Sequence, residues 1–244
     1  MRYFIELSYL GKNYHGWQIQ PHANSVQEEI NKAISTILRT EINITGAGRT
    51  DAGVHASQMF AHFDIDSPLN ENFTYKLNAI LPNDIVIYNT TLVHDDAHAR
   101  FDAVSRSYEY KIILGRNPFL LDTTWQLNYK DIDIELMNKA AKILYEYEDF
   151  ECFSKVKTDV HTFNCTVTNA EWKLVDDELT FYVSANRFLR NMVRAIVGTL
   201  FNVGLGKTSL EEFRSIIESK NRSKAGVSVP AKGLFLTEVA YTYI

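Results

Sequence analysis

The chain opens with side chains of alternating character: Tyr3, Ile5, Leu7 and Tyr9 fall on one parity, and Arg2, Glu6 and Ser8 on the other, with Phe4 the exception. A period of two belongs to a strand with one buried face. From residue 26 the period changes. Val26, Ile30, Ala33, Ile34, Ile37 and Leu38 recur at helical spacing, and Ser25 with Glu28 is placed to form a capping box. Strands are expected over 41–46, 58–65, 84–93 and 106–114, with a short helix near 72–80 and a turn at Asn117–Phe119. After it comes a helix with the face Ile134, Met137, Ala141, Leu144 and Tyr145. A hairpin of strands 166–175 and 179–185 then turns at Asp176 and Asp177. A long helix is expected from about 187 to 203, a second near 208–219 capped by Thr208 with Glu211, and a last strand over 235–243.

Short strands and helices in this order suit an α+β fold, a mainly antiparallel sheet backed by helices. Long βαβ alternation is missing, which argues against a doubly wound parallel sheet. The content repeats in two halves, 1–115 and 130–244, each with strands and helices. With 244 residues and 45% hydrophobic content the chain can bury a substantial core. The formal charge of −5 excludes a generic polyanion binder, but charge can still be local. Arg214, Lys220, Arg222, Lys224 and Lys232 face only Glu218 between 213 and 232, a candidate positive surface in the second half. Two cysteines cannot by themselves build a disulfide framework or a zinc site. No window approaches a membrane span, and the N-terminus lacks the apolar core of a signal peptide, so an intracellular, cytoplasmic protein is expected.

The most unusual stretch is GAGRTDAGVHA, residues 46–56. Its three glycines let the backbone turn sharply and approach another group closely. A dinucleotide fingerprint is excluded, because it requires glycine where Asp51 stands and a carboxylate there would repel phosphate. Arg49 is better read as a charge partner near a deliberately placed acid. By itself the loop is equally compatible with a glycine-rich turn capped by Asp51. VGLGKTS at 203–209 fails as a phosphate-binding loop, since Phe201 occupies the first glycine position and a helix precedes it. His94 and His98 have no third ligand in view, so no metal site is assigned. On a helix running from 187, Arg187, Arg190 and Arg194 lie within roughly 60° of one another beside an apolar face. Three such cations repel one another unless anions or carboxylates lie opposite. They read either as phosphate contacts with an ion pair to a buried acid or as a solvated face; Arg194, nearest the apolar boundary, is expected to point inward.

Taken together, these segments resemble the tRNA pseudouridine synthase A (TruA) family. The resemblance runs through YLGKNYHGWQIQP (9–21), SVQEEI (25–30), GAGRTDAGVHA (46–56) and LNAILPNDI (77–85). It continues in HARFDAVSRSYEY (98–110), DFECFSK (149–155), FLRNMVRAIVGTL (188–200) and PAKGLFLTEVAY (230–241). What it implies is an isomerase converting uridine to pseudouridine on the 3′ side of the tRNA anticodon stem and its junction with the loop (tRNA positions 38, 39 and 40). By the same resemblance Asp51 is the catalytic aspartate, Tyr108 the active-site tyrosine that stacks on the base and accepts a proton, and Arg194 the partner of the aspartate. Leu234 supplies an apolar wall, while Arg49 and His55 contact RNA; Arg187 and Arg190 are candidate phosphate contacts on the spacing described above, not by the resemblance. The family implies two ferredoxin-like halves around a central catalytic cleft, a homodimer, and neither cofactor nor metal. The chain departs from the family pattern at Leu10, Cys165 and Arg187.

Two other classes compete. An RNA-binding module that has lost activity predicts a damaged catalytic set, yet Asp51, Tyr108 and Arg194 are all present. A small-molecule glycosidase predicts a second placed carboxylate or a phosphate motif, and neither is found.

Overall fold

The computed structural model describes residues 1–128, 131–156 and 160–244. In chain order the elements are β1 (Arg2–Tyr9), α1 (Val26–Leu38), β2 (Thr45–Gly46), β3 (His55–Asp64), α2 (Phe73–Ile80) and β4 (Ile85–Val93). They continue with β5 (Ser105–Leu114), β6 (Trp125–Leu127), α3 (Ile134–Ile143), β7 (Val167–Val175) and β8 (Glu178–Ala185). The last are α4 (Met192–Gly204), α5 (Leu210–Glu218) and β9 (Leu234–Ala240). Two compact units result, Met1–Val104 with Phe235–Ile244, and Ser105–Leu234. Each is a mainly antiparallel sheet carrying helices, the α+β class expected.

In the first unit β1 lies between β4 and β3, antiparallel to both, and β9 adds to β3 in parallel. The period-two pattern does what it promised. Tyr3, Ile5, Leu7 and Tyr9 are buried, and Phe63, Ala61 and Met59 stand opposite the first three on β3. Helix α2 covers this face, with Phe73 6.1 Å from the Phe63 ring. Ser25 starts α1 by accepting from the Glu28 amide at 3.3 Å, but the Glu28 carboxylate turns to Lys32 at 2.9 Å. Phe4 belongs to the opposite face, against Tyr241 at 5.4 Å.

The expected strand 41–46 shrinks to two residues because α1 takes its backbone bonds. The Ile42 amide donates to Ser35 Oγ and the Ile44 amide to Asn31 Oδ1, at 2.9 and 3.0 Å.

The second unit orders its strands β6-β5-β8-β7, with β5 and β6 parallel and the others antiparallel. Asp176, in a left-handed conformation at φ 55°, makes the β7–β8 turn at the expected place. Asn138 pins α3 to β7 by exchanging two hydrogen bonds with the Trp172 backbone, at 2.8 and 3.0 Å. Helix α4 is buried around most of its circumference, as an almost wholly apolar helix must be.

Several expectations are corrected. The helix expected from 187 begins at Met192, because Asn191 adopts φ 66° and breaks any helix through it. Arg187 and Arg190 therefore lie in the preceding loop, and the three arginines do not share a helical face. Helix α5 is capped by Ser209 with Glu212, both bonds of the capping box present, and not by Thr208 with Glu211. The units divide at 104 and return 235–244 to the first, whereas the halves anticipated were 1–115 and 130–244. The reason is non-local. Phe235 and Leu236 pair with His55 and Ala56, about 180 positions earlier in the chain. The anticipated start at 130 falls outside the described residues.

Candidate active-site residues

Loop 46–56 is shaped by the segment from Tyr9 to Trp17, which runs against it. The Trp17 amide donates to the Thr50 carbonyl at 3.4 Å, the Gly53 amide to the Tyr14 carbonyl at 3.2 Å, and the Tyr9 hydroxyl bonds Thr50 Oγ1 at 2.9 Å. Two glycines make so close an approach possible. A Cβ on Gly11 would stand 1.9 Å from the Val54 carbonyl oxygen, and one on Gly16, at φ +94°, 2.2 Å from that of Thr50. Within the loop the Val54 amide donates to the Asp51 carbonyl at 3.1 Å, closing a turn on which the Asp51 side chain is half-buried. Arg49 is exposed.

His55 was expected to touch RNA. It is instead fully buried, its ring 4.6 Å from that of Phe235 and its Nδ1 accepting from the Gly11 amide at 2.9 Å. That hydrogen bond requires a bare Nδ1, so a neutral ring carries its proton on Nε2.

The remaining expected residues lie in the second unit. Tyr108 sits on β5, half-buried, its ring edge-on to Phe188 at 5.1 Å and 85°. Tyr110, two residues on, is wholly buried and donates to the Pro230 carbonyl at 2.8 Å. Burial pushes its hydroxyl far above the ordinary tyrosine range. Of the two tyrosines on this strand, only Tyr108 therefore has a partly open face.

Arg194, in the first turn of α4, is held by its side chain and its backbone at once. Its Nε donates to the Val229 carbonyl at 2.7 Å, and the Val229 amide donates to the Arg194 carbonyl at 3.3 Å. Ser228, next along, accepts from Asn191 Nδ2 at 2.6 Å and Arg222 Nη2 at 2.8 Å. A glycine on α4 admits this strap, since a Cβ on Gly198 would meet the Val227 carbonyl oxygen at 1.9 Å. The guanidinium is thus aimed by backbone that no local motif announces. Arg187 donates to the Thr162 carbonyl at 3.3 Å, and Arg190 is exposed. Leu234 is buried at the start of β9.

The basic run in 213–232 is largely spent on internal contacts. Arg214 pairs with Glu146, Lys220 with Asp149 at 2.7 Å, and Lys232 with the Leu121 carbonyl at 2.8 Å. Arg222 is turned inward onto the Gly226 carbonyl at 3.0 Å and Ser228. Of the five, only Lys224 keeps its charge clear of such a contact among the described residues. His94 and His98 do not form a pair: His94 bonds Asp96 at 2.6 Å and His98 packs edge-on against His62 at 4.7 Å. Among the described residues no group of three or more ligand-type side chains could hold a metal ion, and no helix is long and apolar enough to cross a membrane. At two departures from the family pattern, Cys165 is buried and Leu10 uses its amide on the Asp84 carbonyl at 2.9 Å. Burial pushes the Cys165 thiol up to about 11 and that of Cys152 up to about 12, so both are inert thiols at neutral pH.

Two features escaped the sequence, the Tyr9–Trp17 segment as a support for the loop and Val229 as the residue that aims Arg194. The glycines at 11 and 16 were the only visible signal of the first.

A family described as tRNA pseudouridine synthase matches this chain over residues 7–102 and 140–242, in both units. A tRNA pseudouridine synthase A from Bacteroides thetaiotaomicron is 52% identical over 244 residues, covering 98% of this chain and 90% of the relative. One from Porphyromonas gingivalis is 51% identical, covering 98% of this chain and 97% of its own. At greater distance, one from Thermoanaerobacter pseudethanolicus is 41% identical over 97% of this chain and 98% of the relative. With its glycine-rich loop intact and the match extending through both units, the chain belongs to the tRNA pseudouridine synthase family.

Proposed function

We propose that this enzyme isomerises uridine to pseudouridine on the 3′ side of the tRNA anticodon stem and at its junction with the loop, with Asp51 as the catalytic carboxylate. The observation that carries this reading is the family match across both units, joined to an acid at the centre of a tightly braced glycine loop. The reaction breaks the N1–C1′ bond, turns the base and joins C5 to C1′, and the C5 proton is replaced by one on N1. It is balanced without a redox step or a group donor.

A uridine in a stem must first leave the stack, at a cost of a few kcal/mol. Stacking on the half-exposed ring of Tyr108 recovers roughly 1–3 kcal/mol. Asp51 then acts on the ribose, as nucleophile at C1′ or as base at C2′, and both roles need it ionised. Arg194 holds that charge against desolvation. Tyr108 receives the C5 proton directly or through water, and Leu234 keeps water from the base. The exposed Arg49, with Arg187 and Arg190, meets the phosphates, which makes binding salt-dependent. By resemblance the enzyme works in the cytoplasm, as a homodimer without cofactor.

The test uses tritium release from uridine-labelled, unmodified tRNA. Asp51→Ala should abolish turnover and leave tRNA affinity nearly intact; product formation by that variant at the normal rate refutes the assignment.

A further inference from the structure

Asp51 is not held by its own helix or strand. It lies on a turn between two fixed points, Thr50 before it and residues 53–55 after it, so the backbone that carries it depends on whatever fixes those points. Thr50 is held twice, at its carbonyl by the Trp17 amide and at its hydroxyl by Tyr9. On the far side, His55 accepts from the Gly11 amide and packs its ring against that of Phe235, which ties the loop's exit both to the Tyr9–Trp17 segment and to β9. Tyr9 is 4% exposed and His55 is sealed entirely, so neither can reach RNA in this structure.

We propose that Tyr9 and His55 are positioning residues for Asp51, Tyr9 through Thr50 and His55 through Gly11, and that His55 is not an RNA contact. The inference rests on the reading of Asp51 as the catalytic carboxylate. Its physical content is that displacing a reacting group by about 1 Å can cost on the order of a hundredfold in rate while binding is untouched. Losing the His55 acceptor leaves a buried Gly11 amide without its bond, and the backbone beside Asp51 shifts to find another.

Three variants of the full chain separate the cases, assayed with unmodified tRNA under steady-state and single-turnover conditions beside wild type and Asp51→Ala. Tyr9→Phe removes one hydroxyl and should lower kcat about fivefold at unchanged KM. His55→Phe keeps the ring against Phe235 but has no acceptor, and should lower kcat about a hundredfold, again at unchanged KM. His55→Asn places an oxygen near the former Nδ1 and should recover at least about tenfold of that loss, a rescue that volume alone does not provide. A raised KM with unchanged kcat in the His55 variants overturns the proposal in favour of RNA contact. Equal rates for His55→Phe and His55→Asn overturn the role of the acceptor. Should His55→Phe fail to fold, Tyr9→Phe decides alone, and a wild-type kcat there overturns the brace. With wild type active and Asp51→Ala inactive, such results leave the proposed function standing. Turnover by Asp51→Ala overturns both.

Discussion

Lowering the pH from about 7 to about 5 is expected to cost the folded protein about 2 kcal/mol through one side chain, His62. This imidazole is 6% exposed, and its Nδ1 accepts from the Ala99 amide at 3.2 Å. Burial is the main cause that lowers its pKa to about 4, helped by Arg2 and by His98, and opposed by Asp64 and Asp102. Unfolded, the ring titrates near 6.5. The folded value is the lower one, so the native state binds fewer protons. Its stability is fully present above about pH 6.5 and is lost progressively as the pH falls toward about 4. At about pH 5 the unfolded ring is almost wholly protonated and the folded one about a tenth, a difference worth about 2 kcal/mol. His98, also lowered chiefly by burial, adds in the same direction. Asp64 and Asp102, lowered by Arg2 and by the His98 amide respectively, lose their contribution only below about pH 4, outside the window. The assay is urea unfolding of wild type and His62→Asn at both pH values. His98 is common to both proteins, so the wild type should lose about 2 kcal/mol more than the variant. Equal losses would refute the reasoning that a neutral, buried His62 is what acid attacks.

Arg194→Ala should lower kcat far more than it raises KM, by on the order of a hundredfold, and Arg194→Lys should recover little because an ammonium cannot reproduce the Nε bond to the Val229 carbonyl. Gly198→Ala places a methyl 1.9 Å from the Val227 carbonyl oxygen and should lower the unfolding free energy by about 2 kcal/mol or more, read as a drop in Tm. Tyr110→Phe removes the hydroxyl donor to Pro230 and should cost about 1 kcal/mol in urea unfolding, with the pH dependence of turnover unchanged, because a hydroxyl so far from titrating takes no part in proton transfer.

Elements whose information is local were readable from the residues alone. The alternation at 3–9 and the helical spacing after Ser25 yield β1 and α1 at nearly the observed bounds, because a two-residue or 3.6-residue period is a direct consequence of backbone geometry. The acid at 51 in its glycine-rich loop, and the resemblance of eight ordered blocks, pointed to the chemistry. The misplaced start of α4 shows where that reading ended. Arg187, Arg190 and Arg194 have a plausible helical spacing, but a single left-handed residue, Asn191, removes two of them from the helix.

The chain alone therefore determined its class, its period changes and the identity of the candidate acid, since these depend on neighbouring residues. Tertiary structure decided what those residues lean on: β9 pairing beside His55, Val229 aiming Arg194, and Gly11 occupying the nitrogen of His55. Each is a hydrogen bond between residues some 35 to 180 positions apart, and such a bond leaves no periodicity in the sequence because its partner is set only when the chain packs.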